Sequence, residues 1–328
     1  ETYVERIMET GAIHIPYEMN AKFSPWGDLK LLFLYWRTYR QLKPNYVIHY
    51  TIKPNIYGSL AARANKIPSL AVVPGTGSVF QNSGMVSRMV GQLYKWAFRY
   101  PQKIWVLNED DYRAFLVKNI VNQDRLAILP GEGVDTSFFC YKEYKRHSPF
   151  VFLYMGRMLR EKGVEFMAKA VKLLHQKGID DFEVRLLGLV DGLSKDVISE
   201  EEISQWEKEG LVRFLGSTSD VRPDIEEADC VLLPTFYGEG VPRSLMEACS
   251  MGRIVLATDN VGCRDVVQDG YNGILCKPKD VEDLAAKMEM ILSMPEQTIR
   301  DMGENGRKKM MAEFAEVKIV KRYLEEIS

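Results

Sequence analysis

Short apolar runs alternate with helical stretches along almost the whole chain, and this alternation constrains the fold more than any other feature. The first series sets strands at Tyr46–Tyr50, Ser69–Val73, Ile104–Leu107 and Leu126–Leu129, with a helix at Leu29–Leu42 before the first and helices at Ile56–Ala64 and Val86–Phe98 between them. Asn108 is placed to cap a further helix, with Asp111 at its third position. The second series sets strands at Phe150–Met155, Glu183–Leu187, Val212–Leu215, Cys230–Leu233, Ile254–Ala257 and Gly273–Leu275, and the tail from Asp280 is mostly helical. Apolar runs of this length bounded by turn residues read as buried strands, and strands alternating with helices read as a parallel sheet covered on both faces. A helix over Tyr3–Glu9 and a short strand over Ala12–Ile15 are expected ahead of the first series. The turn-rich Leu129–Asp135 and the polar Tyr141–Pro149 mark a passage between two units. The expected fold is therefore α/β, with two Rossmann-like domains, 1–145 and 146–328, facing across a cleft, and with the last helix packing back on the first. Such a cleft is a preferred place for a ligand.

A chain of 328 residues with 46% hydrophobic composition can bury two such cores. No apolar run approaches a membrane span, and no signal peptide is visible. Five cysteines, odd in number and without CxxC spacing, read as buried thiols in a reducing cytoplasm rather than disulfides or zinc ligands. The net charge is only −2, but from Lys22 to Lys103 twelve Lys or Arg stand against the single acid Asp28. These cations are interleaved with large apolar residues at Leu31–Arg40 and Tyr94–Tyr100. That pattern can lay residues 22–103 on an anionic membrane surface, or it can mark core-facing helices with basic outer faces. Nucleic acid is disfavoured, because no DNA- or RNA-binding motif accompanies the charge.

The stretch Gly238-Glu239-Gly240-Val241-Pro242-Arg243-Ser244-Leu245-Met246-Glu247-Ala248 follows the strand Cys230–Leu233 and opens a helix. It places free N–H groups and two carboxylates at the carboxyl end of a strand, where α/β proteins bind ligands. Pro242 suits the first helical position. An anion seat flanked by acids fits a ligand that is both anionic and rich in hydroxyls, as a nucleotide sugar is. After Phe150–Met155 comes Gly156-Arg157-Met158-Leu159-Arg160-Glu161-Lys162-Gly163, in which Arg157 and Lys162 could converge on a diphosphate. Cations at a helix start oppose the helix dipole, which favours a ligand over surface decoration. The pairs Gly75-x-Gly77 and Gly238-x-Gly240 lack the third glycine of a dinucleotide fingerprint, and neither GxxxxGK[ST] nor a DxD pair for metal occurs. Among the histidines, His49 alone is placed at the end of a strand facing the cleft, where a lone histidine is more often structural than catalytic.

These residues carry a resemblance. Glu239 and Glu247 form an E-x7-E pair preceded by the GR-x4-KG run, and the chain resembles retaining glycosyltransferases of family 4, which have the GT-B fold. Lys53–Gly58, Asn108–Asp111, Gly133–Asp135, Gly262–Arg264 and Asp269–Gly273 extend the likeness over nearly all of the chain. It is greatest to the bacterial branch that extends polyprenyl-diphosphate-linked sugars for O-antigens, lipopolysaccharide, capsules or protein glycans. The resemblance implies a UDP-sugar donor, with an N-acetylhexosamine as the expected sugar, a lipid-linked saccharide acceptor and no metal or other cofactor. Arg157 and Lys162, with the backbone of Gly240 and Val241, would hold the donor diphosphate. Glu247 would take the ribose, Glu239 the transferred sugar, and Gly216–Val221 the base. Front-face attack with retention would leave the acceptor proton to the departing phosphate. The expected location is cytoplasmic, peripheral on the inner face of the cell membrane. Two departures stand out: the loop Gly75-Thr76-Gly77-Ser78 lacks the histidine many members carry there, and the first domain begins late, as if without an opening strand-helix-strand unit. Alternative readings are a nucleotide-sugar 2-epimerase and a nucleotide-sugar-binding protein without catalysis.

Overall fold

The computed structural model describes residues 4–17, 19, 24–75, 85–190 and 196–328. Tyr3, Lys22 and the loop residues Thr76, Gly77 and Ser78 lie outside the described residues.

Two parallel sheets organise the molecule. The first has four strands in chain order, β1 (Val47–Tyr50), β2 (Ser69–Val73), β3 (Lys103–Val106) and β4 (Leu126–Ile128). The second comprises β5 (Phe150–Met155), β6 (Phe182–Leu187), β7 (Arg213–Gly216), β8 (Cys230–Leu233), β9 (Ile254–Thr258) and β10 (Gly273–Cys276), in the order β10-β9-β8-β5-β6-β7. Every residue of β2, β5, β8 and β9 is buried, which is why these strands read as unbroken apolar runs rather than alternating ones. From β5 the chain moves outward through β6 and β7, then returns to lay β8 on the other side of β5. The order therefore reverses between β5 and β8, and the crevice beyond their carboxyl ends is the topological switch point where such sheets take ligands.

Three local expectations are corrected. Residues 12–15 form no strand: they are exposed, and a strand needs a neighbour to satisfy its backbone, which none of the described residues supplies. The helix expected over Ile56–Ala64 begins as a π-helical turn, Pro54–Gly58, before continuing as Ser59–Asn65. There the Asn55 side chain donates to the carbonyl of Val72 at 2.7 Å, tying the turn to β2. Pro242 is the N-cap of the helix Arg243–Ser250 rather than its first residue, with an extended ψ of 120°.

The passage between the sheets is fixed by a buried carboxylate. Asp229 accepts from the Tyr144 hydroxyl at 2.8 Å and from the backbone N–H groups of His147 and Val151 at 3.0 and 2.7 Å. The chain end reaches back across this passage. Glu316 N–H donates to the carbonyl of Val134, Tyr323 packs on Trp105 with ring centres 4.8 Å apart and contacts the Tyr50 hydroxyl, and Arg322 donates to the carbonyl of Ile128.

His49 does not face the cleft. It is buried under the first sheet, 2.9 Å from the Tyr39 hydroxyl and 3.4 Å from Ser59 Oγ, and a Cβ on Gly58 would lie 2.5 Å from its ring. Burial lowers its pKa to about 4. Between its ordinary value and 4 the unfolded chain binds a proton that the folded one refuses, so stability is greatest above about pH 6.5 and falls as pH drops. The loss should reach about 3 kcal/mol, and His49→Gln should remove most of it. Asp265, raised to about 6 chiefly by burial, acts in the opposite direction over the same window. The measurement is therefore the difference between wild type and variant in urea unfolding at neutral and acid pH. Identical pH dependence in the two proteins would refute this role for His49.

Candidate active site

The loops that follow β5 and β8 meet at the switch point. Arg160–Lys162 forms a single tight turn, closed by Gly163 at φ 81°. A Cβ on Gly163 would lie 2.1 Å from the carbonyl oxygen of Pro234, so only glycine lets the two loops approach this closely. The N–H groups of Phe236 and Tyr237 both donate to the carbonyl of Glu161, at 3.0 and 3.2 Å. The Thr258 hydroxyl holds the carbonyl of Thr235, and Asn260 Nδ2 donates to that of Tyr237 at 2.7 Å. The loop that carries Glu239 is thus braced by the ends of both β5 and β9.

Of the residues singled out from the sequence, the structure brings Lys162 and Glu239 into direct contact. Lys162 Nζ pairs with Glu239 Oε1, with side chains only 16% and 12% exposed, and the Thr235 hydroxyl donates to the same oxygen at 3.1 Å. Lys162 Nζ also lies 5.3 Å from the centre of the Tyr237 ring, a favourable seat for a cation. Arg157 is exposed beside them, and its backbone carbonyl accepts from the Tyr154 hydroxyl at 2.7 Å. Burial raises the pKa of the Tyr154 hydroxyl, Glu239 raises it further and Arg157 opposes the rise, so both charges act on one point beneath the site.

Glu247 lies one turn into the helix Arg243–Ser250. Its partner is Arg243, at 3.6 Å. Its side chain is 16% exposed, and burial raises its pKa against the opposing charge of Arg243. A carboxylate so desolvated favours neutral donors such as hydroxyls. Gly240 and Val241 sit where the two halves touch. A Cβ on Gly240 would lie 1.7 Å from the carbonyl oxygen of Pro74, one on Gly262 would lie 2.3 Å from the carbonyl of Gly240, and Val241 packs over Gly131.

Sequence reasoning assigned Asn108 only a capping role. Its Oδ1 does accept from Asp111 N–H at 2.8 Å, but its Nδ2 donates to the carbonyls of Gly240 and Glu239 at 3.1 and 3.4 Å. One fully buried amide therefore both caps a helix of the first half and holds the acidic loop of the second. Arg264 adds an ion pair across the same junction, 3.2 Å from Asp110. The sequence signal for both was present in the polar Asn108–Asp111 and Gly262–Arg264, but their pairing is tertiary. Among the described residues no cluster of His, Cys, Asp and Glu is arranged to hold a metal.

Comparison with known proteins places this site in context. The family model described as "Glycosyl transferases group 1" matches residues 141–309, which include the second sheet and both loops of the switch point. The N,N'-diacetylbacillosaminyl-diphospho-undecaprenol alpha-1,3-N-acetylgalactosaminyltransferase of Campylobacter jejuni is 26% identical, covering 99% of this chain and 88% of its own length. The UDP-Gal:alpha-D-GlcNAc-diphosphoundecaprenol alpha-1,3-galactosyltransferase of Escherichia coli is 24% identical over 89% of this chain and 77% of its own. Among solved structures, a glycosyltransferase from Rickettsia africae aligns with all of this chain and 87% of its own at a TM-score of 0.81 and 18% identity. The Anabaena protein HepE in complex with UDP aligns with 98% of this chain and 88% of its own at 0.78 and 19% identity. The shared fold is GT-B.

Asn108→Ser separates the two tasks of the amide, since serine also caps a helix but cannot reach across the junction. It should cost about 1 to 2 kcal/mol, mostly from two buried carbonyls left unpaired. Gly240→Ala should drive the halves apart and enlarge the radius of gyration in small-angle scattering. Wild-type stability of Asn108→Ser together with an unchanged radius for Gly240→Ala would contradict this account of the junction.

Proposed function

The chain belongs to the group 1 glycosyl transferases, and we propose that it moves a sugar, an N-acetylhexosamine, from a UDP-sugar to a polyprenyl-diphosphate-linked saccharide. The single observation that carries the reading is the gathering of Arg157, Lys162 and Glu239 at the switch point between β5 and β8. The names of the two curated relatives, both transferases acting on diphospho-undecaprenol-linked sugars, support the acceptor class. They also disfavour the epimerase and the non-catalytic binder. Synthesis of a surface polysaccharide such as O-antigen or capsule is the setting this implies.

On this reading Arg157 and Lys162 hold the donor diphosphate, with the amides of Gly240 and Val241 beside it. Glu239 orients the hydroxyls of the transferred sugar, Glu247 takes the ribose hydroxyls, and Gly216–Val221 borders the base. The acceptor hydroxyl attacks the anomeric carbon from the face that UDP leaves, so configuration is retained. As the bond from anomeric carbon to phosphate oxygen breaks, its electron pair stays on the phosphate, which takes the acceptor proton. The cations act on charge that grows during that step, and the transfer is assigned no metal. Residues 146–328 would bind the donor and 1–145 the acceptor, with the enzyme cytoplasmic and peripheral on the inner face of the membrane. No helix among the described residues is long and apolar enough to cross a membrane.

Arg157→Ala should lower kcat by about a hundredfold. Because Arg157 is exposed, the thermal midpoint should hold. Near-normal transfer by this variant would remove the assigned role, and a sugar product formed without acceptor would favour epimerisation. Membrane association predicts salt-sensitive sedimentation with anionic vesicles, weakened when the exposed Arg37, Arg40, Lys95 and Arg99 are neutralised together. Sedimentation indifferent to both salt and these substitutions would count against it.

A further inference from the structure

The first half carries an open apolar groove to which the proposed transfer assigns no role. Trp26, Phe33 and Trp36 of the helix Pro25–Leu42 form one wall, and Leu60, Trp96 and Tyr100 close the other, around a volume of about 960 Å3. That is large even for a small-molecule site, for which roughly 300 to 1,000 Å3 is usual. Trp26 is 84% exposed and Trp96 47%, an unusual outlay of apolar surface on a soluble face. At one end the groove runs into a polar pocket of about 680 Å3, which shares Arg63 and Tyr100 with it and adds Lys66, Ser69 and Gln102. Lys30 stands at the groove, and among the described residues no acid lines either cavity. Helix C-termini attract cations, which accounts for Lys66 as the cap residue of Ser59–Asn65 but not for the tryptophans.

An apolar trough that ends in cations matches a molecule with an apolar tail and an anionic head. A second copy of this chain is a poor occupant, because it would set the same basic rim against itself. The location also separates this site from the proposed chemistry at Glu239. Ser69 opens β2 and Gln102 directly precedes β3, so the polar pocket lies at the amino ends of the strands. Pro74 and Asn108, which touch Gly240, lie beyond their carboxyl ends. A five-residue strand spans roughly 16 Å, so a head group at Arg63 is a strand's length away from Glu239.

We propose that groove and pocket form a discrete site for one anionic phospholipid, with its acyl chains along Trp26, Phe33, Trp36 and Trp96 and its phosphate at Arg63 and Lys66. The proposal deepens the membrane reading above: beyond general attraction to a charged surface, the chain would grip an individual lipid on the side of the sheet remote from the chemistry.

The probe is a short-chain phosphatidylglycerol with brominated acyl chains, kept below the concentration at which it aggregates and added to the full chain. Three of the five tryptophans line the groove, so bound bromine should quench much of the intrinsic fluorescence. Quenching should saturate, and it should require about tenfold more of the phosphatidylcholine analogue, whose head carries no net charge. The double variant R63Q/K66Q should weaken phosphatidylglycerol by a similar factor, as expected for two cations at a lipid phosphate. Replacing Trp26, Trp36 and Trp96 by Phe should abolish the quenching. Absence of saturable quenching, or equal affinity for the two head groups, would overturn the proposal. So would displacement by a polyprenyl diphosphate, which would assign the groove to the acceptor. The head-group comparison needs no variant, and no step measures transfer, so either failure leaves the glycosyltransferase reading standing.

Discussion

Main chain pressed on main chain is the constraint on which the site depends. Gly163 against Pro234, Gly240 against Pro74 and Gly262 against Gly240 are approaches that any Cβ would block. The first joins the loops after the two central strands of the second sheet. The second brings the end of β2 onto the acidic loop, and the third backs that loop with the one after β9. Side-chain pairs could rearrange around a small shift, but backbone contacts of this kind cannot be relaxed by choosing another rotamer. The glycines therefore define where the carboxylate of Glu239 stands, and the hydrogen bonds from Asn108 and Asn260 hold it there.

The first half has two working ends for the same reason. Its parallel strands all point one way, so their carboxyl ends collect the loops that face the second sheet. Their amino ends are left to the helix termini, where Arg63 and Lys66 cluster beside exposed aromatic rings. The charge asymmetry of the chain acquires a location in this way: Arg37, Arg40 and Lys95 stand exposed on the outer helices, while Lys53 turns inward, 2.6 Å from the buried Asp28.

Much of this was legible in the sequence because the strands of an all-parallel sheet are apolar on both faces and cannot be mistaken for surface. The motif Gly156–Gly163 after β5 and the acidic loop after β8 were legible too, since each follows an apolar run and carries glycines. The short run Ala12–Ile15 misled, because strand-like composition does not supply a pairing partner. His49 misled in the opposite sense. Strand position placed it near the cleft, but side chains alternate along a strand, and this one points under the helices to Tyr39 and Ser59. The second role of Asn108 was out of reach, because the carbonyls it holds lie 131 and 132 residues away.

Lys162 and Glu239 illustrate why charge at such a site is best treated as a balance. Each is largely buried and each is the other's partner, so neither stands as a bare charge in a poorly solvated crevice. On the proposed reading a diphosphate offers Lys162 a second anion, while sugar hydroxyls offer Glu239 donors to replace the ammonium. Binding then exchanges one satisfied arrangement for another, and the pair sets Glu239 in place before the sugar arrives. The same balance distorts simple mutagenesis. Truncating either partner leaves the other unpaired, a penalty of about 3 to 5 kcal/mol that has nothing to do with the transition state. Arg157 is exposed, so water can take the place of its contacts, and its removal reports on charge developed during transfer more directly than loss of either member of the pair.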